Sequence, residues 1–131
     1  MVNFIGVIIE ESLEDASILK KMKIIKQEIE KVTPEHSTPH LKIWTLDTIE
    51  IDEPKMGTFA KQISGLLDST HCHWYADFKN KDWHYVIFKN KFFKVDRSKP
   101  EQYKQVVKYG LSLGIPDYQL VFSSDIDDWK R

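Results

Sequence analysis

An α+β fold, with a largely antiparallel sheet and about three helices on one face of it, follows from three observations. Apolar spacing switches between a period of two and a period near 3.6, so strands and amphipathic helices both occur. Residues 71–97 alternate with period two and are broken by two asparagine-containing turns, the pattern of an antiparallel meander. The 131 residues, 41% hydrophobic and 30% charged, suit one domain, 1–131, with a core that needs no disulfide or metal to hold it.

The elements come in order. Val2 to Ile9 is a short, largely β-branched apolar run and reads as a buried strand. Ser12 and Asp15 have capping-box spacing and open a short helix through about Met22. From Lys23 to Val32 two readings compete. Ile25, Gln27, Ile29 and Lys31 share one face of a strand, while Leu19, Met22, Ile25, Ile29 and Val32 keep the spacing of one long helix from Ser12. Residues 33–40, with Pro34 and Pro39, are a loop, and Leu41 to Ile51 is a strand rich in Ile, Trp and Thr. Asp52 and Pro54 start a second helix, whose apolar face is Met56, Phe59, Ala60, Ile63, Leu66 and Leu67.

Three strands then follow within residues 71–97, joined at residues 79–82 and at Lys89-Asn90, where asparagine suits a positive φ. Ser98 and Glu101 form a capping box around Pro100. The helix they open is lined by Tyr103, Val106, Val107, Gly110 and Leu113, and Gly114 and Pro116 end it. Tyr118 to Phe122 is a final short strand, and 123–131 a polar tail carrying Trp129. The first six elements have the βαββαβ order of ferredoxin-like folds, followed by the β-meander and a C-terminal helix.

A net charge of −1 argues against binding driven by the phosphates of nucleic acid or by an anionic membrane. The one cysteine, Cys72, forms no intrachain disulfide, and the N-terminus lacks the basic region of a signal peptide, so a cytoplasmic location is expected. No phosphate-cradling glycine loop, Ser-His-Asp order or zinc-finger spacing occurs, and no cofactor is implied.

Residues 71–97 hold eight of the chain's aromatic residues, counted from four Trp, five Tyr and seven Phe, and three of its five histidines. In the first strand Cys72, Trp74, Ala76 and Phe78 share a core-like face. His71, His73, Tyr75, Asp77 and Lys79 share the other. A turn centred on Asn80-Lys81 sets Asp77 opposite His84, Tyr75 opposite Val86 and His73 opposite Phe88. A carboxylate facing an imidazole fixes its tautomer and favours its protonation, as a general base requires, and is also an ordinary cross-strand ion pair. A register shift of one residue would separate the two.

His71 and His73 point to one side, as metal-binding histidines on sheets do, while Cys72 points to the other. Asp77, His84, His36 and His40 are the remaining conceivable ligands, and no metal site is expected. Lys79, Lys81, Lys89, Lys91, Lys94 and Arg97 among aromatics also fit the logic of a single-stranded RNA surface.

Thr38-Pro39-His40-Leu41-Lys42-Ile43-Trp44-Thr45-Leu46, Trp74-Tyr75-Ala76-Asp77-Phe78-Lys79-Asn80 and Tyr109-Gly110-Leu111-Ser112-Leu113-Gly114-Ile115-Pro116 resemble segments of a family of small uncharacterised prokaryotic proteins. The likeness extends from about Gly6 to Phe122. It implies strand at Ile25 to Val32, and it brings no activity, cofactor or catalytic residue. This chain has His40 where those proteins prefer Trp.

Two functional expectations follow. The first is a binding module that recognises a small ligand or a protein partner through the polar face of His73, Tyr75, Asp77 and His84, a face that a homodimer could close. The second is a small enzyme with His84 as general base, Asp77 orienting it and Tyr75 donating a hydrogen bond. Metal and RNA binding stand behind these.

Overall fold

The computed structural model describes residues 3–33, 41–68, 74–115, 117 and 120. Six strands are present among them: β1 (Phe4–Ile9), β2 (Lys23–Lys31), β3 (Ile43–Ile51), β4 (Tyr75–Lys79), β5 (Trp83–Phe88) and β6 (Lys91–Asp96). Two α-helices accompany them, α1 (Met56–Leu66) and α2 (Tyr103–Ser112). The strands make one sheet in the order β2-β3-β1-β4-β5-β6, with every neighbouring pair antiparallel. The α+β class and the antiparallel sheet are therefore as expected, and residues 23–31 are strand, not helix.

The first expected helix is replaced by two 3-10 segments, Glu10–Ser12 and Ala16–Lys21. Ser12 does not cap, because its hydroxyl donates back to the Ile9 carbonyl at 2.6 Å. Asp15 caps instead, accepting from the Ser17 N–H at 2.9 Å. Only a few residues then remain before Lys23 enters β2, too few to offset the nucleation cost of an α-helix. The βαββαβ order is thus met in its strands and second helix but not in its first. The capping box at Ser98 also fails: the Ser98 amide and hydroxyl both bind Asp96 Oδ1, and a 3-10 turn from Pro100 to Gln102 leads into α2.

Strand alternation sorts the core into two layers. On one face Phe4, Ile8, Ile49, Ile51, Ala76, Phe78, Tyr85 and Ile87 pack against Met56, Ala60 and Ile63 of α1 and against Ile18 and Leu19. Gly6 lies in that layer because β1 passes close to β4: a β-carbon there would sit 2.0 Å from the Asp77 carbonyl oxygen and 2.6 Å from the Phe78 ring. On the other face Val86, Phe88 and Val95 pack against Tyr103 and Val106 of α2, with Ile115 and Leu120 completing the layer. The helices therefore lie on both faces. That corrects the expectation of one helical face, and its cause is plain in β5. Tyr85 and Ile87 are as apolar as Val86 and Phe88, so the strand must be covered on each side.

α2 ends as the sequence implied. Gly114 has φ +90°, its N–H donates to the Leu111 carbonyl at 3.0 Å, and the Ile115 N–H donates to that of Gly110 at 3.2 Å, a Schellman closure. Asn90, at φ +60°, makes the turn between β5 and β6, and its N–H binds the Ser64 carbonyl of α1. Of the expected final strand at 118–122 only Leu120 is described, and it is not in a strand; the Trp129 tail lies outside the described residues.

Candidate functional site

The turn between β4 and β5 decides what the meander brings together. Asn80 Oδ1 accepts from the amides of Asp82 at 3.0 Å and Trp83 at 2.8 Å, and the Asn80 N–H donates to the Trp83 carbonyl. The turn is therefore centred on Lys81-Asp82, and the strands pair as Tyr75↔Phe88, Asp77↔Val86 and Lys79↔His84. Asp77 is not directly opposite His84, which corrects the expected register. The difference is two residues and not one, so each side chain keeps its face. Asp77 and His84 become diagonal neighbours, still within reach across an antiparallel pair.

They do meet. His84 Nε2 lies 2.7 Å from Asp77 Oδ2, and His84 Nδ1 lies 2.7 Å from the phenol oxygen of Tyr103, in the first turn of α2. The Arg97 guanidinium hydrogen-bonds to that same phenol. It also donates through Nη1 to the Asn80 carbonyl at 2.7 Å, tying the chain to the β4–β5 turn. One proton assignment is consistent with both imidazole contacts: Tyr103 O–H donates to His84 Nδ1, and His84 Nε2–H donates to Asp77. Burial pushes the Tyr103 hydroxyl above its ordinary range and the Asp77 charge adds to this, while Arg97 pulls it back. The phenol thus stays protonated at neutral pH.

The setting is an interior and not a surface. His84 is 1% exposed, Tyr103 7% and Asp77 8%, and Lys79 and Arg97 are buried beside them. α2 covers the face read from sequence as open. Tyr75 is half-buried, stacks at a tilt on Phe88 with ring centroids 5.9 Å apart, and belongs to the apolar layer under α2. Of the four expected binding residues, Asp77 and His84 are joined, Tyr75 packs against the apolar layer under α2, and His73 lies outside the described residues. So do His71, Cys72, His36 and His40. Among the described residues no group of three or more His, Cys, Asp or Glu side chains could hold a metal ion.

Sequence reading missed Tyr103 and Arg97 as members of this group. Tyr103 carried a usable signal: a phenol on an otherwise apolar helix face needs a buried polar partner. Arg97 carried none, since at the end of a strand it looks like any solvated cation.

A second polar cluster sits at the other end of the sheet. Asp47 of β3 is fully buried, and its Oδ1 accepts from Gln27 Nε2 at 2.8 Å. The same Gln27 nitrogen donates to Glu10 Oε2 at 3.0 Å. A hydrogen bond with Asp47, then burial, then the Asp47 charge raise the Glu10 carboxyl to about 7. Below that pH a proton on Glu10 relieves the repulsion between the two carboxyls. Beside it, Glu11 accepts from the Thr45 amide and hydroxyl, at 2.6 and 2.8 Å.

Fold and site together define a small α+β protein with a buried Asp–His–Tyr chain between its sheet and its last helix. Compared with family models, curated proteins and solved structures, it matches none. Among the described residues no helix is long and apolar enough to cross a membrane.

Proposed function

We propose that this chain is a small cytoplasmic, non-catalytic binding module that recognises a protein partner through the ribbon of β2 and β3. In this reading the Asp77–His84–Tyr103 chain is an internal strut. The observation that carries it is the placing of apolar surface. Six large hydrophobic residues are exposed among those described, and four lie on this ribbon: Ile24 at 41%, Ile25 at 47%, Ile29 at 68% and Ile43 at 44%. Every residue of β2 is exposed, and β3 continues past the end of β1, where Ile43 to Thr45 pair with β2 alone. Clustered exposed isoleucines on a projecting ribbon suit an interface, since scattered single ones would need no explanation.

A photoreactive amino acid placed at position 29 tests this, with position 108, exposed on α2, as the comparison. The expected outcome in cells that make the protein is a discrete crosslinked species from position 29 and none from 108. No discrete product from position 29, or equal products from both, would overturn the proposal.

The second reading is an enzyme using His84 as general base. The unbroken 2.7 Å contacts from Asp77 through His84 to Tyr103 favour it, because a carboxylate that fixes an imidazole tautomer beside a hydroxyl is the arrangement of acid–base catalysis. Diethyl pyrocarbonate separates the readings. A strut leaves the His84 ring unmodified in the folded protein, whereas a working base open to substrate is modified.

A further inference from the structure

The outer strand of the sheet has a centre that is complementary to its own reverse. Ile25-Lys26-Gln27-Glu28-Ile29 becomes Ile-Glu-Gln-Lys-Ile when read backwards. A two-fold rotation about Gln27 therefore sets Ile25 against Ile29, Lys26 against Glu28 and Gln27 against itself. Lys26 and Glu28 of one copy are already ion-paired on one side of the strand, so two copies would alternate four charges around the axis. Neighbouring registers lose this match. An axis at Glu28 opposes that carboxylate to its own copy, and an axis at Ile29 opposes Glu28 to Glu30.

The backbone is also turned the right way. The Val32 N–H donates to the Lys42 carbonyl at 3.0 Å, and the β2–β3 register runs unbroken from Lys31↔Ile43 to Lys26↔Thr48. Alternate residues of an antiparallel strand turn both backbone groups to the same neighbour. Glu30, Glu28 and Lys26 thus face β3, and Lys31, Ile29 and Gln27 face outward, where the sheet has no further strand among the described residues. The register shift between Ile24 and Lys26 ends the regular edge at Lys26, which centres regular pairing on Lys26 to Glu28 and leaves Lys23 and Lys31 outside it.

We infer that the protein partner of the ribbon is a second copy of this chain, joined β2 to β2 in antiparallel fashion about Gln27. The inference rests on the ribbon reading above and names its partner. Sedimentation equilibrium of the whole chain tests it. The expected result is a dimer that weakens as salt is raised. Lys26→Glu or Glu28→Lys alone sets like charges opposite at two symmetric positions and weakens association by about tenfold or more. The double swap, Lys26→Glu with Glu28→Lys, restores the complementary order and with it the wild-type constant. Because these side chains are exposed, thermal unfolding of all three variants should match the wild type at dilutions where each is monomeric.

A chain that stays monomeric up to submillimolar concentration overturns the second copy. So does a dimer indifferent to the swaps, or one that the double swap fails to restore. If the chain is monomeric but position 29 still crosslinks to a different protein, only the present inference falls. Failure of the crosslink removes the ribbon reading itself.

Discussion

Replacing Tyr103 by Phe takes one oxygen out of the interior and leaves the ring where it was. The phenyl edge still meets the His84 ring, whose centroid lies 5.5 Å away, so no cavity forms. What changes is hydrogen bonding. His84 Nδ1 loses a partner at 2.7 Å, and at 1% exposure of the residue no water replaces it; Arg97 loses one of its acceptors as well. A net hydrogen bond is worth about 1 kcal/mol, and a stranded buried polar atom costs about 1–3 kcal/mol, so the variant should lose roughly 2.5 kcal/mol. With an unfolding entropy near 2.1 cal/mol/K per residue, that corresponds to a midpoint lower by roughly 9 °C. Urea unfolding followed by circular dichroism, with calorimetry alongside, measures both. The same substitution in a His84→Leu background should cost under about 1 kcal/mol, because the stranded ring nitrogen is gone. A loss under about 0.5 kcal/mol in the wild-type background, or equal losses in both, would refute the strut.

Three further outcomes follow from the geometry. The Glu10 carboxyl rises from 4.5 to about 7 on folding, so the native state holds this proton more tightly than the unfolded chain. Its contribution is complete below about 4.5, is lost as pH rises towards 7, and stays constant above that. Glu10→Gln, which does not titrate, should therefore gain in melting temperature relative to wild type across that window, and a pH-independent difference would contradict the proton on Glu10. Gly6→Ala should cost about 3 kcal/mol in urea unfolding, because the added carbon meets the Asp77 carbonyl at 2.0 Å and pushes β1 off β4. Gly114→Ala should cost about 1–2 kcal/mol with nothing in its way sterically, the whole effect coming from its φ of +90°.

Much of the fold was legible because local periodicity is a local property. β1, β3, α1 and the three strands of the meander follow from apolar spacing alone, and Gly114 and Asn90 from the backbone conformations their positions demand. The caps were misread at Ser12 and Ser98, where a hydroxyl has nearby backbone or carboxylate partners that compete with the helix terminus. Within the candidate site, the pairing of Asp77 with His84 was anticipated for a reason only half right. Parity along a strand is set by its sequence, so the two share a face whichever even shift the turn selects.

What the chain determined by itself was thus which side chains share a face. Whether that face is surface or interior depended on where α2 comes to rest, and that is a long-range choice. α2 must cover Val86, Phe88 and Val95, and in doing so it sets Tyr103 on His84 and buries His84 and Asp77. The same logic reverses for β2. Its isoleucines look like core in sequence, yet the sheet places the strand at its edge, beyond the reach of either helix, and leaves them to solvent or to a partner.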